Sequence, residues 1–151
     1  MIFISHSSKD NEFSERLAKD LQTHDISVWM DTLSIEADSD WTESIQNGLR
    51  ESDVCIVIWS KKSVISTEVL LEVSQAKTWG KRIIQILIED CKPPSIFERL
   101  QSIDFRRNYD DAREKLFSVM SITRRKDQLK RLEGIWSSNP YPEIPSIPNY
   151  K

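Results

Sequence analysis

Two nearly unbroken apolar runs, Val54-Cys55-Ile56-Val57-Ile58-Trp59 and Ile83-Ile84-Gln85-Ile86-Leu87-Ile88, constrain the fold more than any other feature of the chain. A strand with one wet face alternates polar and apolar residues. A strand apolar at almost every position is covered on both faces, as parallel strands under helices are. Between the two runs the signals turn helical. Ser66 suits an N-cap, Val69, Leu70, Val73 and Ala76 form an apolar face, and Gly80 after Trp79 suits a left-handed stop.

The alternation continues in both directions. Ile2-Phe3-Ile4-Ser5 reads as a buried first strand that breaks into the polar loop His6-Ser7-Ser8-Lys9-Asp10. Asp10 can cap a helix with Phe13, Leu17 and Leu21 on one face, and a second strand is expected over Ile26–Asp31. Residues 32–40 are polar and aperiodic, a loop, before a helix that presents Trp41, Ile45 and Leu49. After Pro93-Pro94, a short fifth strand is expected at Ile103-Asp104-Phe105, then a helix with Ala112, Leu116, Phe117 and Met120. Strands alternating with helices predict an α/β fold: a doubly wound five-stranded parallel sheet of order 2-1-3-4-5 with helices on both faces.

The chain of 151 residues is long enough for one domain with a real core. We expect that domain over 1–121. Beyond it, 122–151 reads as a helical extension and a tail or linker, because four prolines between Asn139 and Pro148 rule out helix there. A net charge of -3 gives no general attraction to nucleic acid or anionic lipid. Cys55 and Cys91 are too few for a disulfide framework, and with only His6 and His24 beside them no zinc spacing and no metal site appears. No apolar run is long enough to span a membrane, and the first residues do not read as a signal peptide, so a cytoplasmic protein is expected.

In sheets of this order, ligands sit beyond the carboxyl ends of the strands where the strand order reverses, here between the first and third strands. That edge receives Ser5 to Lys9, Asp31 with the loop behind it, and Ser60 with the segment leading to Glu72. Gly48, Gly80 and Gly134 are the chain's three glycines, and none follows a strand as a Rossmann turn or P-loop requires. A phosphoacceptor receiver domain would need an acidic cluster after the first strand and an aspartate ending the third; Ser5-His6 and Trp59-Ser60 stand there instead.

Phe3-Ile4-Ser5-His6-Ser7-Ser8-Lys9-Asp10 resembles the first box of TIR (Toll/interleukin-1 receptor) domains, and Val28-Trp29-Met30-Asp31 the end of their second strand. Ile35-Glu36-Ala37 followed by Trp41 is similar to the long loop after that strand, the BB loop, and to the tryptophan that opens the next helix. Ser52-Asp53, Ser60, Asp90-Cys91 with Pro94, and Ile103-Asp104-Phe105 fit later boxes in order, so the resemblance covers about residues 1 to 120, with bacterial-type members closest in style.

The resemblance implies one of two functions. Some TIR domains cleave the nicotinamide–ribose bond of NAD⁺, giving nicotinamide and ADP-ribose or a cyclised form; others are non-catalytic TIR–TIR interaction modules. The enzymes carry a Ser-x-Trp-x-x-x-Glu pattern after the third strand. Laid on this chain it gives Ser66, Glu68 and Glu72, with Glu68 in place of the tryptophan; Asp38 likewise stands where the BB loop usually has glycine.

Glu72 is then the implied catalytic carboxylate, with NAD⁺ as substrate and no separate cofactor. Ser5, His6, Ser7, Asp31, Glu36, Trp41, Ser66 and Glu68 are the implied substrate-binding set. Trp41 serves core packing equally well, and Asp31 a strand-end cap. The family further implies self-association, including filaments, a regulatory domain or partner protein, and an assembly-activated role in bacterial immunity, without nucleic acid or membrane.

Overall fold

The computed structural model describes residues 1–31 and 41–121. The chain forms two compact units, Met1–Tyr109 and Asp110–Lys151. The expected helical extension and tail over 122–151 lie outside the described residues, as does the loop over 32–40.

The first unit alternates as the sequence predicts: β1 (Ile2–Ser5), α1 (Asn11–Thr23), β2 (Val28–Trp29), α2 (Trp41–Glu51), β3 (Val54–Trp59), α3 (Thr67–Thr78), β4 (Arg82–Leu87) and β5 (Ser102–Asp104). The five strands form one sheet in the order β2-β1-β3-β4-β5, and every pairing is parallel. The order reverses between β1 and β3, where Ser5 at the end of β1 stands in register with Val57. A helix over 109–121 follows; in the second unit it places Ala112, Leu116 and Met120 four apart, all buried.

The apolar runs become the centre of the sheet. Cys55 through Trp59 are fully buried, and Ile83, Ile84 and Ile86 lie beside them. Trp59 carries a polar group into this core, and it is met. Its indole N–H donates to Gln85 Oε1 at 2.8 Å, while the Gln85 amide donates to the carbonyls of Phe97 at 2.9 Å and Leu100 at 3.2 Å. One side chain in β4 thereby fixes the loop that leads to β5.

The second strand is shorter than the six residues expected. Only Val28 and Trp29 pair with β1. Asp25 turns with φ 61°, and the N–H of Ile26 goes back to the carbonyl of Leu21 at 3.1 Å, so the start of the expected strand is taken up by the exit from α1. Asp31 lies beyond the strand.

Trp29 stacks flat on Phe3, with ring centroids 4.9 Å apart. Helix α2 closes over Trp29 at Gly48, where an added Cβ would sit 2.4 Å from the indole ring. A glycine inside a helix weakens it, and here the missing side chain is what allows the close approach.

Candidate active site

The switch point between β1 and β3 gathers the polar residues of the unit. Ser5 ends the interior strand β1 and is buried. Its hydroxyl donates to Glu72 Oε1 at 2.6 Å, across 67 residues of sequence. Helix α3 brings Glu72 there. Ser66 starts the helix by accepting the N–H of Val69 at 3.3 Å, Val69, Val73 and Ala76 bury one face, and Glu72 falls at the margin of that face, half-buried.

His6 follows Ser5 into the same edge and is also buried. Its Nε2 lies 2.7 Å from Asn11 Oδ1 and 3.8 Å from Asp31 Oδ1. That Asp31 oxygen is buried and has no hydrogen-bond partner among the described residues. A polar atom left so in a dry place destabilises the fold.

The electrostatics follow from the crowding of acids. Burial pushes the Glu72 carboxyl up to about 7; the Ser5 hydrogen bond pulls it down, and the charges of Asp31 and Glu68 push it up further. Cys55, on β3 beneath, has its thiol raised by its own burial and then by the Glu72 charge. A carboxyl poised near neutrality in a cleft is a common mark of a functional site.

Beside Glu72 lies a cleft of about 310 Å³ between α2 and α3, lined by Ile45, Gln46, Leu49, Glu68, Leu71, Glu72 and Gln75. Its walls are mainly apolar, and its polar groups include two carboxylates and no cation. Such a cleft suits a flat ring, and its charge suits a cationic one.

The sequence-derived site residues divide into groups. Ser5, His6, Asp31 and Glu72 are brought together around the end of β1. Glu68 shares the cleft with Glu72. Ser66 caps α3, with its hydroxyl 3.5 Å from Glu68 Oε1. Ser7 caps the short 3-10 turn Ser8–Asp10 by accepting the N–H of Lys9 at 3.2 Å. Trp41 opens α2, and Glu36, like Asp38, lies outside the described residues.

Sequence reasoning missed three features. Asn11, the partner of His6, reads as an ordinary first helix residue. The cleft walls Ile45, Gln46, Leu71 and Gln75 carry no motif. The third is a buried serine pair after β3: Ser60 donates to Asp10 Oδ2 at 2.5 Å, and Ser63 donates to the carbonyl of Ile58 at 2.7 Å while accepting the N–H of Ser60 at 2.7 Å. This ties the loops after β1 and β3 together, and two serines three apart on a turn were its only signal.

Known proteins resemble the chain in sequence and in shape. The NAD(+) hydrolase TcpA of Theionarchaea archaeon (strain DG-70-1) is 37% identical over 62 residues, 40% of this chain. The match spans 19% of that relative's length, and the relative is prokaryotic, though archaeal. The TIR domain of the Toll-related receptor TRR-2 of Hydra magnipapillata superposes with a TM-score of 0.70 at 18% identity, covering 82% of this chain and 97% of that one. The TIR domains of the activated Roq1 resistosome, which recognises the pathogen effector XopQ, superpose with a TM-score of 0.65 at 15% identity, covering 79% and 98%. These structures share the fold. The TIR domain family matches residues 2–117, most of the chain, and with the parallel 2-1-3-4-5 sheet already described, the chain belongs to the TIR domain family.

Proposed function

We propose that this TIR domain is an NAD⁺ glycohydrolase, with Glu72 as its catalytic carboxylate. The observation that carries this reading is the place of Glu72: at the switch point of the sheet, held by Ser5 at 2.6 Å and opening on an apolar cleft without cations. The prokaryotic relative that bears the name NAD(+) hydrolase supports it.

The chemistry asks little else of the protein. The C1′–N bond of NAD⁺ breaks with both electrons going to nicotinamide, which leaves neutral because it begins as a cation. Positive charge passes to the ribose, where the ionised Glu72 carboxylate stabilises it. Water then adds at C1′ and loses a proton to Glu72 or to solvent, giving ADP-ribose; attack by the substrate's own adenine gives the cyclised product instead. No strong general acid is needed, and the Ser5 hydroxyl is given to Glu72.

Ile65 and Leu71 are 75% and 66% exposed, and Leu71 borders the cleft. These apolar residues favour a second reading, a TIR–TIR interaction module. The two readings join in an effector of bacterial or related prokaryotic immunity that is silent until copies assemble. Such a protein would act in the cytoplasm, where NAD⁺ is available. Among the described residues no helix is long and apolar enough to cross a membrane.

The test is NAD⁺ consumption by concentrated or artificially clustered protein, beside Glu72→Gln. The wild type should release nicotinamide and the variant should lose at least about 100-fold in rate, the scale of removing one charge-stabilising group. Equal inertness of both would leave the interaction module standing; equal activity would move the site elsewhere.

A further inference from the structure

The implied role of Ser5 is to touch the substrate, but its surroundings point to a different one. We propose that Ser5 is a positioning residue: its hydroxyl holds the Glu72 carboxylate in its acceptor form and in one orientation for the reaction. This rests on the reading of Glu72 as the charge-stabilising carboxylate.

A serine hydroxyl has one proton to donate. In Ser5 that proton goes to Glu72 Oε1 at 2.6 Å, and the side chain is 1% exposed. Ser5 therefore reaches a ligand only through Glu72. It is also a rigid support: β1 is paired on one side with β2 and on the other with β3, along its whole length with β3. A glutamate side chain has several rotatable bonds and lies here on a helix. One fixed hydroxyl from the sheet below removes much of that freedom and leaves the second oxygen to face the ribose.

The same bond opposes everything else near Glu72. Glu68 from α3 itself and Asp31 from beyond β2 are like charges. Asp31 is shared with His6 of the β1 edge, Cys55 lies on β3, and α2 contributes Ile45, Gln46 and Leu49 to the cleft, none of them charged. Among these neighbours the Ser5 hydrogen bond is what favours the ionised form, against burial and two carboxylates.

The experiment has two arms. In the first, the side-chain carboxyl carbon of Glu72 is followed by NMR from pH 5 to 9, without substrate, in wild type, Ser5→Ala and Ser5→Cys. The midpoint should rise by about one pH unit in Ser5→Ala and by less in Ser5→Cys, whose thiol is a weaker donor of similar size. In the second, NAD⁺ cleavage by clustered protein is measured over the same range. The acid limb should move up with the midpoint, about a tenfold loss below neutrality that shrinks as pH rises.

A Glu72 midpoint unmoved in both variants overturns the proposal, even if activity falls, because a loss uniform across pH is what simple packing damage would give. A protein inert toward NAD⁺ defeats the function reading alone, since the NMR arm needs no turnover.

Discussion

The sheet carries two polar clusters on opposite sides of β3, one buried and one only partly so, and they are built differently. Toward β4 and β5, Trp59, Gln85 and the carbonyls of Phe97 and Leu100 form a closed set: both hydrogens of the Gln85 amide and the indole N–H are used, within 3.2 Å. Toward β1 and β2, Glu72, Asp31 and Glu68 crowd together, and a buried oxygen of Asp31 lacks a hydrogen-bond partner among the described residues. A closed polar set specifies structure and adds stability. An open, like-charged one works against the fold, and such crowding in a cleft at the switch point of a sheet is a common mark of a functional site.

The sharpest way to test that contrast is Glu72→Gln, which should split activity from stability. Activity falls by the factor of about 100 or more given above. Stability moves the other way, and its pH dependence follows from the sign of the shift. The folded carboxyl titrates near 7, above the ordinary value of about 4.3 that the unfolded chain should show. The native protein therefore holds the extra proton between those values. The favourable contribution is complete below about pH 4 and is lost as pH rises through 7. Glutamine can still accept from Ser5 but never ionises. At pH 8 the variant should be more stable by about 2 kcal/mol, and at pH 4 the difference should vanish. Thermal or urea unfolding at the two pH values measures it; a variant less stable at pH 8 would place the Glu72 cluster with the closed kind.

Gln85→Leu makes the complementary break. It strands the Trp59 N–H in a dry core and leaves the buried Phe97 and half-buried Leu100 carbonyls without this donor, and should cost about 2–4 kcal/mol. The cost should be alike at pH 5 and pH 8, because nothing in this set titrates, and the folded fraction should keep its NAD⁺ cleavage. A third substitution tests what holds the cleft's far wall. Gly48→Ala places a methyl carbon 2.4 Å from the Trp29 ring, which is itself stacked on Phe3. The ring or α2 must shift, costing about 1–3 kcal/mol before alanine's better helix propensity returns about 1 kcal/mol. Since Ile45 and Leu49 move with α2, the Michaelis constant for NAD⁺ should rise severalfold.

The closed cluster and the sheet that bears it were largely legible from sequence, because apolar runs such as Val54–Trp59 leave a chain few places to go. Even there Gln85 stood out only as a break in an apolar run; that it serves Trp59 depends on parallel register, which brings residues 26 apart together. Strand two is shorter than its apolar pattern suggests, since Val28 and Trp29 alone stand in register with β1 and Ile26 is taken up by the exit from α1. At the open cluster the sequence supplied Glu72 and the strand ends, but not their coupling. Ser5 and Glu72 are 67 residues apart, and no local pattern says that a strand-terminal serine will meet a glutamate one turn past a helix start. Pairings of that kind are set by how α3 lies on the sheet, which depends on packing rather than on spacing.

The smallest expected effect concerns Glu68, the residue that stands where enzymatic relatives keep tryptophan. Its carboxylate lines the cleft beside Glu72 and raises the Glu72 carboxyl, the weakest of that group's causes after burial, the Ser5 bond and Asp31. Glu68 is exposed, so water and salt screen it. Glu68→Gln should therefore lower the acid limb of NAD⁺ cleavage by a few tenths of a pH unit, and activity below neutrality should rise modestly. The difference should disappear at about 1 M salt, where the screening length falls to roughly 3 Å. A cation bound against Glu68 would predict something else: weaker binding of the cationic ring, with a raised Michaelis constant at every pH. Measuring both parameters from pH 5 to 9 separates a residue that merely burdens Glu72 from one that holds the substrate. An unmoved acid limb with a raised Michaelis constant would shift Glu68 from the charge balance of the open cluster to its ligand.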